Sequence, residues 1–338
     1  MKPVRNLRFP GNILLIDGIS GSGKTMITRL IDGYSACTSP VFNYTLEYIC
    51  ILHSNQIIDT PTARILLGLN LDQRRYDDSI SREVNLRVSD LSSVLKSRKR
   101  SEYLLSLIKK DTDQNSSERI SAHPYLSFVS HQLNHATQLI ELSYADSFFE
   151  IMCVRHPYYL ISHWESYVSM IGAKPRDFTL WNDYKGSTIP WFIEKYADWY
   201  VNSDLINRAA LCVIEILGQS LTKLTEKRSN RVVIPFEKFV LDPTPTLTEI
   251  QGWPSIGEPK EARRIMRKEK LPRSHINMGR QLPIYKRYGA GLFESSTDMK
   301  VDFQKQESFA RQRLEPSVFK ELESLSDVYL QYFGEWYS

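Results

Sequence analysis

Short apolar runs separated by polar turns predict a parallel α/β sheet. Residues 12–17 form a continuous apolar run, typical of a strand that is buried on both faces. A turn rich in glycine and serine follows, and residues 25–33 then carry apolar positions at helical spacing and end in glycine. Two more strands are predicted at residues 148–154 and 231–236, each followed by a polar segment and a helical pattern. This alternation predicts a three-layer α/β fold, with helices around a central parallel sheet.

The rest of the chain is expected to elaborate this sheet within a single domain spanning residues 1–338. Residues 55–122 carry charged helical stretches, which we interpret as a helical insertion that forms the acceptor region. Its basic run at residues 96–100 favours a solvated helix over a surface for an acidic acceptor or a membrane. Apolar spacing in residues 314–333 predicts a C-terminal amphipathic helix on the core. The aromatic residues between 191 and 200 favour core over an acceptor-pocket wall.

Composition restricts the class of partner. The 338 residues are 42% apolar and 24% charged, which is typical of a folded globular protein. Lys and Arg number 43 against 39 Asp and Glu, and the net charge of +4 is far below that of a dedicated nucleic-acid binder. We therefore expect any anion site to be local and expect no nucleic-acid partner.

The cysteines and the N-terminus favour a cytoplasmic protein. The cysteines are far apart and form no CxxC or Cys/His cluster, so neither a disulfide scaffold nor a zinc site is expected. The apolar run at residues 13–16 is too short for a secretory signal. Since no 18 apolar residues follow one another, no membrane-spanning helix is expected. The cysteines are Cys37, Cys50, Cys153 and Cys212.

Residues 18–25 match the phosphate-binding (P-loop) pattern G-x-x-x-x-G-K-[ST] at every fixed position. The segment lies between a predicted strand and a predicted helix, which is the context that this motif requires. Small residues let backbone N–H groups curl around phosphate or sulfate oxygens, and the helix N-terminus adds partial positive charge. The fold is therefore predicted to be P-loop NTPase-like. The predicted anion-binding residues are Ser20, Gly21, Ser22, Gly23, Lys24 and Thr25, with Lys24 as the point charge.

The loop alone does not identify which nucleotide the protein binds. A kinase using ATP and Mg²⁺ would place Thr25 on the metal and Lys24 on the β- and γ-phosphates, and it also needs a magnesium carboxylate at the end of a second strand. One later strand runs instead into Arg155, and the other reaches Glu237 only after a proline. The kinase is kept as the alternative.

Arg155 begins a second candidate anion clamp, because it ends a predicted strand, lies just before a Pro-initiated helix and is followed within that helix by Ser162. The alternative is that this segment is an ordinary strand-to-helix corner in which Arg155 is only a capping residue. In this R-x-P pattern the sequence resembles the P-loop sulfotransferase family, in which the segment binds the 3′-phosphate of the donor 3′-phosphoadenosine 5′-phosphosulfate (PAPS). Residues 236–243, 316–333 and, more loosely, 126–131 are similar to three further family segments. The resemblance implies sulfuryl transfer from PAPS to a hydroxyl or amine of a small-molecule or glycan acceptor, with 3′,5′-adenosine diphosphate (PAP) as product and no metal required.

The sequence departs from the family pattern at two positions. The family's basic loop residue, which stabilises the leaving-group oxygen, falls on Gly21, and its first threonine falls on Lys24. Either Lys24 reaches the same oxygen, or the donor chemistry differs; a non-catalytic nucleotide-binding protein is a further alternative. The family's helical serine falls on His163, beside Ser162. Both side chains can donate to phosphate, so the resemblance places the 3′-phosphate on Arg155 with Ser162 or His163.

Two functions require further residues: the general base and additional contacts to the 3′-phosphate. Sulfuryl transfer needs a base on the acceptor hydroxyl, for which His131 is the first candidate, with His135 and Glu47 behind it. Lys and Arg dominate residues 258–287, a pattern typical of a solvated face. In the family this segment supplies a basic loop over the 3′-phosphate, which implies further contacts from Arg273, Lys286 and Arg287.

Overall fold

The structure is a computed structural model of the chain. It describes residues 9–90, 93–110, 112–173, 175, 177–259, 262–279 and 296–336. The predicted contacts from Lys286 and Arg287 lie outside the described residues.

Five strands form one parallel sheet in the order β2-β3-β1-β4-β7. The central strand β1 is buried from Ile13 to its end, as its continuous apolar sequence predicts. A separate antiparallel hairpin pairs β5 with β6. The strands are β1 (Asn12–Gly18), β2 (Val41–Phe42), β3 (Tyr125–Val129), β4 (Phe148–Val154), β5 (Trp181–Tyr184), β6 (Ser187–Pro190) and β7 (Arg231–Pro235).

Helices cover both faces of the sheet, so the predicted P-loop α/β fold is confirmed. Leu15 of β1 packs into one apolar cluster and its neighbour Leu14 into another, because successive side chains of a strand point to opposite faces. The helices are α1 (Lys24–Ile31), α2 (Tyr44–Ser54), α3 (Thr60–Ser79), α4 (Arg100–Ser106), α5 (Asp113–Ala122), α6 (Gln138–Tyr144), α7 (Ile161–Val168), α8 (Ala197–Asn202), α9 (Leu205–Thr222), α10 (Phe236–Leu241), α11 (Thr244–Gln251), α12 (Ala262–Lys268), α13 (Met299–Arg313) and α14 (Pro316–Phe333).

The helix α9 is the most deeply buried long helix of the larger cluster. Its segment Leu205–Thr225 is long and apolar enough to pass a length-and-composition test for a membrane span, but 72% of the tested window is buried inside the fold. A helix buried on all sides in a protein core is expected to be apolar all round.

The predicted helical insertion contains α3, α4 and α5 and lies between β2 and β3. The aromatic residues Trp191, Phe192 and Tyr200 are buried in the core, as predicted, whereas Trp199 is 41% exposed. The two-residue strand β2 and the β5–β6 hairpin have no counterpart in the sequence prediction.

The basic run at residues 96–100 is not the solvated helix that its charge predicts. Lys99 is buried, and its ammonium donates to the main-chain carbonyl of Asp32 at 2.7 Å. The amide of Arg98 donates to the carboxylate of the same Asp32 at 2.8 Å. The run is therefore fixed against the C-terminal end of α1, because Asp32 supplies acceptors that a local charge count does not reveal.

Candidate active site

The loop between β1 and α1 has the shape that the motif predicts. Gly18 has φ +144°, and a Cβ there would lie 2.0 Å from the carbonyl oxygen of Cys153. Gly23 has φ +92°, and a Cβ there would lie 2.7 Å from Cδ2 of Phe236. Glycine is thus required at both positions by backbone conformation and by space. Helix α1 begins directly after Gly23, so its N-terminus, which carries partial positive charge, lies at the loop.

Two of the predicted loop residues serve the loop itself. The amide and hydroxyl of Ser22 both donate to the carbonyl of Ile19, at 3.1 and 2.7 Å, so this side chain closes the turn. The hydroxyl of Ser20 lies 3.0 Å from Nε2 of His163, and its carbonyl accepts from the indole of Trp164 at 3.0 Å. Ser20 joins the loop to α7.

The ammonium of Lys24 is held by main-chain carbonyls. It donates to Gly18, to Ser130 at 2.8 Å and to His131. Asp17 lies 3.7 Å away. Burial lowers the pKa of Lys24, and the negative charge of Asp17 opposes that shift. Lys24 therefore joins the ends of β1 and β3 and must exchange at least one carbonyl to contact a ligand anion.

Arg155 lies against the phosphate loop. It follows β4, and its Nη1 donates to the carbonyl of Gly21 at 3.0 Å. The guanidinium lies 4.4 Å from the ring centroid of Phe236, and its buried Nε has no hydrogen-bond partner in the described chain. A buried, partly satisfied arginine beside a glycine-rich loop is a strong site for an anion.

The structure brings Ser162 and His163 to the same place. Both line the cavity that contains Gly21 and Arg155. Burial, and then the neighbouring Arg155, lower the pKa of His163 to about 4, so the imidazole is neutral near pH 7. A neutral imidazole can still donate one N–H to phosphate.

His131 and Glu47, two separate candidates in the sequence, form a pair. Nδ1 of His131 lies 3.1 and 3.2 Å from the two carboxylate oxygens of Glu47. The imidazole packs against Phe42 and Tyr44, with ring centroids 4.6 and 5.2 Å away. When Nδ1 donates to the carboxylate, Nε2 is the nitrogen that accepts a proton. The arrangement suits a general base.

His135 does not belong to this site. Its ring stacks on Trp191 at 4.6 Å, and burial, with a smaller effect of Lys223, lowers its pKa to about 4. It is absent from the residues that line the cavity around the phosphate loop. Of the two histidines considered as the base, His131 is the one that lines the cavity.

Arg273 is near the site, but its own contacts are internal. It lines the cavity, yet it donates to the carbonyls of Ile276 and Glu269, at 3.2 and 3.4 Å. Its Nε is buried without a partner in the described part of the chain. The exposed Arg263 and Arg267 agree with the solvated-face interpretation of this segment.

Most of the candidate residues open onto one cavity of about 1850 Å³ bounded by the described residues; Ser22, Glu47 and His135 are absent from its lining. The lining includes residues of the loop, Arg155 and His131. It also includes polar side chains of the insertion, among them Asn70, Gln73 and Arg87.

The carboxylates at the other strand ends have structural roles. Glu237, after β7, accepts from the hydroxyl of Tyr329 at 2.6 Å and from the amide of His156 at 3.1 Å, and thereby ties α10 to α14 and β4. Among the described residues, no group of three or more His, Cys, Asp or Glu side chains is arranged to hold a metal ion.

Sequence reasoning missed the aromatic residues that frame the charged groups. Phe42 and Tyr44 orient His131, and Phe236 supports Arg155. Phe42 ends a strand of two residues, which is too short to produce a periodic pattern. Phe236 is the last residue of the strand predicted at residues 231–236, and this position at a strand end was the available signal.

The loop and the sheet define a P-loop α/β protein. Solved sulfotransferase domains are similar to it in fold. The domain of the olefin synthase of Synechococcus PCC 7002 is 14% identical, with 97% of each chain covered and a TM-score of 0.45. The domain from the curacin biosynthetic pathway is 13% identical, with 91% of this chain and 100% of that chain covered and a TM-score of 0.43. STF9 from Mycobacterium avium is 11% identical, with 96% of this chain and 76% of that chain covered and a TM-score of 0.36. No family model and no curated protein sequence matches the chain.

Proposed function

We propose that this protein is a sulfotransferase that moves a sulfuryl group from PAPS to a hydroxyl or amine of a small-molecule or glycan acceptor. One observation carries the proposal: three neighbouring strand ends deliver a phosphate loop, a clamp arginine and His131 to one cavity, and Glu47 on α2 pairs with that histidine. The loop suits the 5′-phosphosulfate. Arg155, with Ser162 or His163, suits the 3′-phosphate.

The chemistry assigns one task to each charged group. The acceptor oxygen or nitrogen forms a bond to sulfur while the bond from sulfur to the 5′-phosphate oxygen breaks, and the electron pair leaves on that oxygen as PAP. The acceptor proton moves to Nε2 of His131, and Glu47 stabilises the resulting imidazolium. Lys24 exchanges a carbonyl for the leaving oxygen and stabilises its charge.

The proposal also includes the acceptor region and the cellular location of the protein. The polar residues of the insertion that line the cavity support the acceptor region expected at residues 55–122. The four cysteines are all free and buried, which supports a reducing, cytoplasmic location.

The test is thermal unfolding with PAP, with AMP, which lacks the 3′-phosphate, and with ATP in the presence and absence of Mg²⁺. A ligand at one hundred times its Kd stabilises by about 2.7 kcal/mol, a shift of a few degrees. We expect PAP to raise Tm without metal and well beyond AMP. Arg155→Gln should remove the advantage of PAP over AMP, whereas Arg313→Gln, at an exposed ion pair with Glu165, should retain it.

The competing functions give different results. Stabilisation by ATP only with Mg²⁺ would replace this proposal with the kinase. Binding of PAP, followed by no transfer from labelled PAPS to a panel of phenols, amines and sugars, would indicate a non-catalytic nucleotide-binding protein.

A further inference from the structure

Four large aliphatic side chains are exposed within five consecutive residues at the end of α4. Leu104 is 41% exposed, Leu105 55%, Leu107 46% and Ile108 82%. We call these four residues the α4 tip. Single exposed apolar side chains are common on protein surfaces, but a contiguous group marks an interaction surface.

The α4 tip projects from a firmly anchored helix. Tyr103, the residue before it, is 2% exposed, and its hydroxyl donates to Asp78 at 2.7 Å and accepts from the amide of Ser39 at 3.2 Å. The guanidinium of Arg119 lies 4.5 Å from the centroid of the Tyr103 ring. The exposure of the tip is therefore a property of a fixed helix.

Exposed cations flank the tip on both sides. Lys96 and Arg100 precede it, and Lys109 and Lys110 follow it directly; all four residues are exposed. The acidic residue in this segment, Glu102, is bonded to Nε2 of His123 at 3.0 Å. Apolar side chains between cations fit an anionic membrane surface, where the former enter the acyl boundary and the latter meet headgroup phosphates.

The same side of the molecule carries the rim of the cavity. The cavity lining includes Lys96 and the neighbouring loop residue Arg87. That loop also exposes Leu86 (46%) and Val88 (71%). It is joined to the segment before α4 by a hydrogen bond from the amide of Val94 to the carbonyl of Asn85, 2.8 Å long.

We propose that the α4 tip docks this protein on an anionic lipid surface, with the flanking cations on the headgroups. The docked enzyme presents the insertion end of its cavity close to the membrane. This docking does not depend on the proposed sulfuryl transfer, since it is measured without donor or acceptor.

The experiment is flotation of the full chain with vesicles of phosphatidylcholine alone and with vesicles that also contain phosphatidylglycerol. We expect binding to the anionic vesicles that weakens as salt is added. The double variant Leu105→Asp/Ile108→Asp should bind at least about tenfold more weakly. The matched control is Leu142→Asp on α6, because Leu142 has the same 55% exposure as Leu105 and is not among the residues that line the cavity. The control should bind like the wild type.

Several outcomes would overturn the proposal. They are no binding of the wild type to anionic vesicles, equal binding of the double variant and the wild type, or equal binding to both kinds of vesicle. Self-association in the absence of lipid that the double variant abolishes would assign the tip to a contact between two copies instead. Circular dichroism and Tm of each variant establish that the fold is retained.

Discussion

Nδ1 of His131 lies 3.1 Å from the carboxylate of Glu47, and this contact decides which imidazole nitrogen is free. The two residues are 84 positions apart, on the end of β3 and on α2. A sequence can indicate that each residue type suits proton transfer. It does not reveal the pairing, because that depends on how α2 packs against the sheet.

Glu47→Gln should lower kcat by about a hundredfold while leaving KM for PAPS unchanged, because the carboxylate orients the base and does not touch the donor. Steady-state kinetics of the variant and the wild type provide the check. A parallel rise in KM for PAPS would assign Glu47 to donor binding instead.

At the scale of elements, Asp32 links the phosphate-loop helix to the insertion. It caps the C-terminus of α1, and its carboxylate accepts from the hydroxyls of Ser39 and Ser97 at 2.7 and 3.0 Å and from the amide of Arg98 at 2.8 Å. Lys99 adds a bond to the Asp32 carbonyl. One carboxylate therefore joins the C-terminal end of α1 to the segment before α4.

Asp32→Ala should destabilise the protein by about 2–4 kcal/mol, because three hydrogen bonds are lost and the buried Lys99 loses a neighbouring negative charge. Asp59→Ala is the matched comparison: Asp59 caps α3 at an exposed position, so its loss should cost about 1 kcal/mol. Urea unfolding measures both. An equal, small effect would mean that the insertion is held by its apolar contacts alone.

The elements differ in how far the sequence predicts them. β1, β4 and β7 are predictable because strands buried on both faces are apolar throughout, and their order brings Lys24, Arg155 and the loop together. β2 is too short for a pattern. The basic run at residues 96–100 is misjudged because its partner, Asp32, is distant in sequence and buried charge pairs follow tertiary packing.

For the molecule as a whole, three histidines with lowered pKa values make stability depend on pH. The pKa is about 4 for His135 and His163 and about 3 for His156, and burial is the main cause in each. These values lie below the ordinary pKa of 6.5, so between pH 6.5 and 4 the unfolded chain binds protons that the folded chain does not. Stability is therefore complete above pH 6.5 and falls as the pH decreases.

Each of these histidines should remove up to about 1.4 kcal/mol of stability per pH unit in that interval. The measurement is urea unfolding at pH 7, 6 and 5 for the wild type and for His135→Gln. The variant should lose less stability than the wild type on acidification. Identical slopes would show that His135 is protonated in the folded protein.

The three carbonyls that hold Lys24 also determine the thermodynamic character of ligand capture. With Gly18, Ser130 and His131 already bonded to an internal cation, the glycine-rich loop is ordered before any nucleotide arrives. The conformational entropy of its glycines is lost during folding and not during binding. Nucleotide binding then exchanges hydrogen-bond partners within a loop that is already preorganised. The affinity of the loop for the nucleotide is therefore set by enthalpy and desolvation instead of by the entropy cost of ordering the loop.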